Sequence, residues 1–289
     1  MYFSWHGYRP KQRMHLSAPM IKATSEVSVV IPVKDNREGI DRLLDSLVQT
    51  HNPERLPLEV LIISDTRSSI HPQEHYRDYP VKVVVLKTDK VGPASARNIG
   101  WQNANGEWIL FTDSDCIPSA NWLGGYIEAS NGSVGYAGAV LSNGQDFISK
   151  YYESQGILMP SSSDQNGRMC PDYLITANAL VWKAALQRIG GFNESIRIAA
   201  GEDIDLGFRL REIGNLGLAA SSVVYHDFND GIVGFMKRFK RYGKGNRILA
   251  GIYSLNMKPR GIKARKECLG NSILAYLQYM SLLWGYYVR

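Results

Sequence analysis

The sequence is poor in cysteine: its 289 residues include Cys116, Cys170 and Cys268 and no others. An odd number without Cys-x-x-Cys spacing argues against both a disulfide framework and a structural zinc site. We therefore expect a reducing, cytoplasmic compartment. The first 22 residues also lack an apolar stretch of signal-peptide length, so the sequence does not predict secretion.

Positive charge is concentrated near the end of the chain. The net charge is +6, but residues 231–267 hold eleven Lys and Arg against one acid, so this segment carries +10 and the remainder −4. Such a segment indicates attraction to anionic lipid, phosphate-bearing substrates or nucleic acid, unless it is a solvated helical face. Twenty uncharged residues rich in Tyr and Trp follow at 269–288. We therefore expect peripheral membrane contact through 231–288 and no nucleic acid; whether 269–288 meets membrane or packs on its own domain stays open.

Apolar residues alternate between strand-like and helix-like patterns. The run at 27–33 is nearly continuous and β-branched, as in a strand buried on both faces of a parallel sheet, and residues 40–48 repeat with helical period. Further strands are predicted at 59–64, 81–86, 108–112, 135–141, 173–181 and 220–225. Helices are predicted at 93–104, 121–130 and 201–214, and another helix is predicted to end at 189. Residues 143–172 are predicted to form an irregular active-site loop or lid. The alternation predicts an α/β fold whose mostly parallel sheet holds ligands at the carboxyl ends of its strands.

Four acidic residues, Asp35, Asp65, Asp113 and Asp115, lie at the ends of three of these predicted strands. Asp113-Ser114-Asp115 directly follows a buried strand, where two carboxylates one residue apart can bind the same hard cation. Alone, Asp-x-Asp is a weak signal, because acids are common in turns after strands. No Gly-x-Gly-x-x-Gly follows a strand, which excludes a Rossmann dehydrogenase.

Six sequence elements follow one another along the chain, and the ordered set is a more specific signal than any one of them alone. They are Val29-Val30-Ile31-Pro32-Val33, Ile62-Ile63-Ser64-Asp65, Gly92-Pro93-Ala94-Ser95-Ala96-Arg97-Asn98, Asp113-Ser114-Asp115, Gly201-Glu202-Asp203-Ile204-Asp205-Leu206 and Val224-Tyr225-His226. Over residues 27–227 they closely resemble the family 2 glycosyltransferases of GT-A fold. The resemblance implies a single GT-A domain at 25–228, with a nucleotide-sugar-binding half (25–118) and an acceptor half (119–228). An N-terminal extension (1–24) precedes it, and a basic, amphipathic helical tail (229–289) follows.

The resemblance also implies a site for a nucleoside-diphosphate sugar, a UDP-sugar first of all. The residues implied are Pro32, Val33, Asp35, Asp65, Arg97, Asp113 and Ser114. Asp65 matches the acid that accepts a hydrogen bond from a pyrimidine imide N–H. It is followed by Thr66-Arg67 where the family commonly has a second acid and Gly-Ser, which leaves the base open. Arg97 matches a position facing the donor phosphates or the acidic cluster, and as a buried Arg it could equally be a structural partner of Asp113.

A metal ion and a general base complete the implied site. Asp113 lies near the ribose and metal, Asp115 binds Mn²⁺ or Mg²⁺, and His226 completes the protein ligands, an imidazole that favours Mn²⁺. Asp203 is the expected base, with Glu202 beside it to hold the acceptor or orient Asp203. Both acids would also stabilise a helix N-terminus in any protein. One base without a second nucleophile predicts a single displacement that inverts the anomeric carbon.

The function expected from this resemblance is metal-dependent, inverting transfer of one sugar to a hydroxyl of a glycan or lipid-linked acceptor. Cell-surface polysaccharide or glycoconjugate synthesis, at the cytoplasmic face of the membrane, is its expected setting. The Gln-x-x-Arg-Trp element of processive synthases is absent, which favours one sugar per encounter. The loop at 34–37 lacks the Gly-rich sequence of sugar-phosphate nucleotidyltransferases. A non-catalytic nucleotide-sugar-binding GT-A module is the remaining alternative, and the intact acids and His226 count against it.

Overall fold

Strands and helices alternate along the first part of the chain, as its apolar patterns predict. The computed structural model describes residues 15–50, 55–65, 67, 70–71, 73–90, 92–165, 168–228, 231–266 and 268–288. The strands are β1 (Val27–Val33), β2 (Glu59–Asp65), β3 (Lys82–Thr88), β4 (Trp108–Thr112), β5 (Cys116–Pro118), β6 (Gly135–Ser142), β7 (Ser162–Gln165), β8 (Arg168–Pro171), β9 (Asn178–Trp182) and β10 (Leu216–His226). The helices are α1 (Arg37–Thr50), α2 (Pro93–Asn103), α3 (Trp122–Ala129), α4 (Phe147–Gln155), α5 (Lys183–Ile189), α6 (Glu202–Arg211), α7 (Gly231–Tyr253) and α8 (Leu269–Tyr287).

The central sheet has the strand order β3-β2-β1-β4-β9-β6-β10-β5. Six strands run in one direction, while β9 and β5 are antiparallel to their neighbours. Leu43 and Leu47 of α1 cover one face, and Ala94 and Trp101 of α2 cover the other. Because helices exclude water from both faces, β4 is buried along its whole length. The expected mostly parallel α/β sheet is confirmed.

The segment 143–172 is more regular than its sequence pattern indicates. It contains α4 and the antiparallel hairpin of β7 and β8. The Asp146 carboxylate caps α4 by accepting hydrogen bonds from the backbone N–H groups of Ile148 and Ser149, and Gly156 ends the helix with φ 60°. The prediction of an irregular loop was therefore wrong. Local capping, rather than a long apolar period, specifies this short helix.

Strand boundaries on the β10 side of the sheet also differ from the prediction. Of the strand predicted at 173–181, only the last part forms a strand, β9. Strand β10 begins four residues before the predicted position, and β5 was not predicted. β5 has three residues and pairs with the end of β10, with Cys116 opposite His226. A strand this short depends on its pairing partner and carries no periodic signal of its own.

The C-terminal helical extension is present and consists of α7 and α8, packed antiparallel. Glycines allow their close approach, because a Cβ at Gly243 would clash with the carbonyl oxygen of Leu282, and one at Gly285 with that of Lys240. Gly245 likewise brings α7 against the loop before α6, where a Cβ would lie 2.7 Å from the Ala200 oxygen. No described helix is both long enough and apolar enough to cross a membrane. Residues 1–14 of the predicted N-terminal extension lie outside the described residues.

Candidate active site

An open cleft of about 550 Å³ lies at the carboxyl ends of β1 and β4. The loop after β4, the end of β10 and the first turn of α6 line it, together with one face of α7. Such a position follows from the sheet, because parallel strands place their carboxyl ends, and the loops that follow them, at one edge. The cleft therefore brings together side chains that are far apart in the sequence.

Asp113-Ser114-Asp115 bridges β4 and β5 and forms one wall of the cleft. Pairing of β5 with β10 brings Asp115 to His226, with 3.5 Å between Asp115 Oδ2 and His226 Nε2. The side chain of Asn36 holds the tripeptide from the other side, since its Nδ2 donates to the Ser114 carbonyl at 3.1 Å and to Ser114 Oγ at 3.0 Å. The predicted proximity of Asp115 and His226 is thus present in the structure. Asn36 had no sequence signal pointing to this role.

The hydrogen bonding of His226 favours a cation beside it. Its Nδ1 lies 2.9 Å from the carbonyl oxygen of Asp227, which can only accept, so Nδ1 carries a proton. In the neutral ring, Nε2 then carries a lone pair that faces the Asp115 carboxylate. Two acceptors in this arrangement require a proton or a metal ion between them, and metal-binding histidines are commonly oriented by such a carbonyl. The donor set of this wall therefore fits a divalent cation.

The neighbouring thiol does not change this chemistry. Cys116 lies within 4.8 Å of the ligand atoms of Asp115 and His226. Burial raises the pKa of the Cys116 thiol well above its ordinary value, so without a metal ion it stays protonated. Burial, partly offset by His226, also raises the pKa of Asp115. Carboxylate oxygens with one imidazole suit Mn²⁺ or Mg²⁺ better than a thiolate metal site.

A buried ion-pair network joins this wall to α6. Arg97 donates from Nη1 to Glu202 Oε1 at 2.9 Å and from Nη2 to Asp113 Oδ1 at 2.8 Å. Arg97 thus contacts the acidic cluster, and it is a partner of Asp113 as one of the two sequence interpretations predicts. Asp203 adds a third carboxylate to the single guanidinium. The excess negative charge makes the cluster favourable for a cation.

Asp203 lies in the first turn of α6 and faces the cleft. Gly201 precedes the helix with φ 93°, a conformation that favours glycine. Asp203 Oδ1 accepts a hydrogen bond from the Ile204 backbone N–H at 2.8 Å, which fixes the carboxylate. Burial in the first place, and then the charge of Glu202, raises the pKa of Asp203 to about 7. A carboxylate with this pKa is suited to accept a proton near neutral pH.

Helix α7 contributes a face of the cleft that the sequence did not reveal. Arg238, Arg241, Tyr242 and Asn246 all line it. Asn246 is 4% exposed, and its Nδ2 is buried without a hydrogen-bond partner among the described residues, so it is a donor available to a ligand. Arg238 lies over the rings of Phe228 and Tyr152, at 4.9 and 5.6 Å. The basic charge of residues 231–267 indicated attraction to lipid, phosphate-bearing substrates or nucleic acid, but not which side chains line the cleft.

The structure brings together most of the residues implied for the site. Pro32, Val33, Arg97, Asp113, Ser114, Asp115, Glu202, Asp203 and His226 all line the cleft. Glu202 is 4% exposed and points to Arg97 rather than into open space. Asp35 is exposed, has φ 52° and is not part of the lining. Asp65 ends β2, but its side chain lies outside the described residues. The roles predicted for Asp35 and Asp65 therefore stay predictions.

Comparison with known proteins finds relatives of this chain. The model of glycosyl transferase family 2 matches residues 28–189. A pre-mycofactocin glycosyltransferase of Mycobacterium tuberculosis (strain CDC 1551 / Oshkosh) is 27% identical over 249 residues, which cover 82% of this chain and 50% of that protein. The poly(ribitol-phosphate) beta-N-acetylglucosaminyltransferase TarS of Staphylococcus aureus (strain Mu50 / ATCC 700699) is 35% identical over 91 residues, covering 30% of this chain and 16% of that protein. The chain therefore spans half or less of the length of these curated relatives.

Solved structures with the same fold include two that contain Mn²⁺. The mannosyltransferase PcManGT from Pyrobaculum calidifontis, in complex with GDP-Man and Mn²⁺, has a TM-score of 0.59 at 14% identity, covering 98% of this chain and 76% of that one. GalNAc-T7 with UDP, GalNAc and Mn²⁺ has a TM-score of 0.56 at 15% identity, covering 90% and 55%. At these identities the likeness concerns the fold, which is of GT-A type.

Proposed function

Because the chain belongs to glycosyl transferase family 2, we propose that it transfers one sugar from a nucleoside-diphosphate sugar to an acceptor hydroxyl, with inversion. One observation carries the proposal. The same cleft holds a cation-binding wall at Asp113, Asp115 and His226 and a carboxylate with a pKa of about 7 at Asp203. A site of this kind can stabilise a leaving diphosphate and deprotonate an acceptor.

The chain's own residues divide the chemistry between the two sides of the cleft. Asp113, Asp115 and His226 would hold Mn²⁺ or Mg²⁺, which when bound neutralises charge on the leaving diphosphate. Pro32 and Val33 frame the nucleobase, with Asp65 as the predicted hydrogen-bond acceptor. A UDP-sugar is the first candidate donor, since a carboxylate complements the imide N–H of uracil.

Asp203 carries the bond-making step. Its carboxylate takes the proton of the acceptor hydroxyl while the acceptor oxygen bonds to the anomeric carbon. The bond from that carbon to the diphosphate oxygen breaks at the same time, and its electron pair leaves with the nucleoside diphosphate. Attack on the face opposite the leaving group inverts the anomeric configuration. A glycan or lipid-linked acceptor is proposed, and Arg241 and Asn246 of α7 lie in the cleft where they can contact it.

The test is a nucleotide-sugar panel assayed with Mn²⁺ and with Mg²⁺, read by donor hydrolysis and thermal shift. We expect one donor to raise the melting temperature and to be hydrolysed only when metal is present. Asp115→Asn should abolish the metal-dependent hydrolysis, because it removes a charged ligand. The exposed Asp78→Asn serves as the matched control and should behave as the wild type.

Two results would contradict the proposal. Donor binding without turnover, in any metal, would favour the non-catalytic nucleotide-sugar-binding module. NMR of the transfer product showing a retained anomeric configuration would exclude single displacement.

We further propose that α8 places the protein on the cytoplasmic face of a membrane. Its inner face packs on the protein, where Gln278 accepts a hydrogen bond from Tyr151 at 2.7 Å. The outer face carries large side chains three or four residues apart, each between 43% and 80% exposed. They are Leu269, Ile273, Tyr276, Met280, Trp284 and Tyr287. Lys240 Nζ lies 3.7 Å from the Trp284 ring centroid, so positive charge borders this apolar face, as an anionic lipid surface requires.

Vesicle sedimentation tests this contact. The full chain should sediment with vesicles of phosphatidylglycerol and phosphatidylcholine, and less with phosphatidylcholine alone. Ile273→Ser/Trp284→Ser should lower the bound fraction at least about tenfold, because two apolar anchors are lost. Leu218→Ser, at an apolar site on β10 that is 41% exposed, is the control. Equal binding of the double variant and the wild type would refute the contact.

A further inference from the structure

A cluster of two histidines and one aspartate lies outside the cleft. Asp41 is in the first turns of α1, and His75 is in the short 3₁₀ helix Gln73–Tyr76 before β3. One ligand atom from each of Asp41, His71 and His75 lies within 4.8 Å of the others. The cluster thus joins two segments that nothing in the proposed reaction uses.

The contacts within the cluster leave acceptor capacity unused. Asp41 Oδ2 lies 3.1 Å from His71 Nε2, but Asp41 Oδ1 is buried and has no hydrogen-bond partner among the described residues. A buried carboxylate oxygen without a donor is unfavourable and requires an explanation. The two imidazoles stack with centroids 3.7 Å apart and an interplanar angle of 13°, and the Tyr76 ring meets both edge-on. The histidine rings are therefore stacked face to face next to a carboxylate with one unsatisfied oxygen.

The separation of Asp41 from His71 suits a tetrahedral metal ion. Zinc binds histidine nitrogen and carboxylate oxygen at about 2.0–2.2 Å, so neighbouring ligand atoms lie about 3.3 Å apart. The separation of 3.1 Å between Asp41 Oδ2 and His71 Nε2 is close to this value. His75 is exposed, which leaves a path for the ion and a position for water as a fourth ligand.

We propose that Asp41, His71 and His75 form a second metal site that binds a divalent transition ion such as Zn²⁺. Its chemistry differs from that of the cleft. Two imidazoles with one carboxylate favour Zn²⁺, Ni²⁺ or Co²⁺, whereas the carboxylate-rich wall at Asp113 and Asp115 favours Mn²⁺ or Mg²⁺. The ion ties the segment before β3 to α1.

Equilibrium dialysis of full-length Asp115→Asn protein against Zn²⁺ alone tests the site without the proposed catalytic ion. We expect one equivalent of Zn²⁺ to bind. Adding His71→Ala or His75→Ala should weaken Zn²⁺ binding at least about tenfold. Replacing a residue that only supports a metal ligand already costs about tenfold in affinity, so loss of a ligand should cost no less. Co²⁺ in place of Zn²⁺ should give the intense visible absorption of tetrahedral cobalt, and each histidine variant should lose it.

Glu74→Ala is the matched control, because Glu74 is an exposed acid on the same 3₁₀ helix outside the ligand group. It should bind Zn²⁺ as Asp115→Asn alone does. Circular dichroism and metal-free melting temperatures establish that each variant is folded. In addition, Zn²⁺ should raise the melting temperature of Asp115→Asn but not of Asp115→Asn/His71→Ala. Absence of a bound equivalent, or equal affinity after both histidines are replaced, would overturn the proposal, and neither result bears on donor hydrolysis.

Discussion

Asp203→Asn is expected to lower kcat by about 10²- to 10⁴-fold, the contribution of a positioned general base. Asparagine preserves the side-chain size and can still accept the hydrogen bond from the Ile204 N–H, but it cannot take the acceptor proton. Donor affinity should change little, because Asp203 is not among the residues proposed to bind the diphosphate. Single-turnover transfer rates and a separately measured donor Kd distinguish the two effects.

The pH dependence of the wild-type enzyme follows from the same carboxylate. With its pKa at about 7, Asp203 loses its ionised form as the pH falls, so kcat/KM should drop about tenfold per pH unit below 7. Glu202→Gln should move this limb to lower pH, because it removes the neighbouring negative charge that helps to raise the pKa. A wild-type rate that is flat between pH 5 and 8 would contradict the assignment of Asp203 as the base.

Loss of activity in Asp203→Asn should be accompanied by a gain in stability at high pH. The folded pKa of about 7 exceeds the unfolded value of about 3.9, so folding favours the protonated carboxyl. The contribution of the protonated Asp203 carboxyl to the free energy of unfolding is fully present below about pH 4 and is lost as the pH rises through 7. Above pH 7 the ionised group destabilises the fold by up to about 4 kcal/mol, an upper bound that asparagine avoids.

Urea unfolding at pH 8 and pH 4 measures this effect. The variant should be more stable than the wild type at pH 8 and equal to it at pH 4. Asp205→Asn on the same helix is the control with the opposite sign, because the Asp205 carboxylate is buried, pairs with Arg209 at 2.6 Å and accepts from the Tyr253 hydroxyl. It should destabilise the protein. A destabilised Asp203→Asn at pH 8 would show that Asp203 has a structural role instead.

The acidic positions of the site were predictable because local sequence determines where strands and helices end. The apolar run of β4 stops at Thr112, so Asp113-Ser114-Asp115 had to lie at the sheet edge. Gly201 with its positive φ starts α6, which places Asp203 in the first turn. The end of β4 and the start of α6 are each determined by neighbouring residues, so both can be predicted from the local sequence.

Other parts of the site depend on residues that are far apart in the sequence. Asn36 reaches Ser114 across 78 positions, and Arg97 reaches Glu202 across 105. The wall formed by α7 depends on Gly245, whose lack of a side chain lets the helix approach Ala200. Neither periodicity nor capping encodes such contacts, because they arise only when separately formed elements pack. The basic charge at 231–267 was visible, but the face of α7 that lines the cleft was not.

Arg97→Met is expected to lower the free energy of unfolding by about 3–5 kcal/mol at pH 8, the cost of removing one partner from a buried ion pair. The Arg97 side chain is 4% exposed, and that of Glu202 is 6% exposed. Without the guanidinium, Glu202 Oε1 loses its hydrogen bond, and Glu202 Oε2 already lacks a partner among the described residues. Methionine keeps much of the volume, so the loss reflects charge rather than a cavity.

The penalty should depend on pH because the uncompensated group is an acid. Burial already raises the pKa of Glu202, even with Arg97 present to lower it. In Arg97→Met the carboxyl can escape its penalty by taking up a proton, so the loss of stability should be smaller at pH 5 than at pH 8. Urea unfolding curves at the two pH values, with equal m-values, measure the difference.

A double-mutant cycle separates the buried charge from simple packing. Arg97→Met/Glu202→Gln should recover most of the stability that Arg97→Met loses, because the buried Glu202 carboxylate is then no longer left without its partner. Arg97→Lys keeps the charge but loses the planar guanidinium that donates to both Glu202 and Asp113. Its free energy of unfolding should therefore lie between those of the wild type and Arg97→Met. Additive effects of the two substitutions would mean that Arg97 does not stabilise the cleft through Glu202, and would leave its ion pair with Asp113 and its contact with the Phe192 ring, at 5.8 Å.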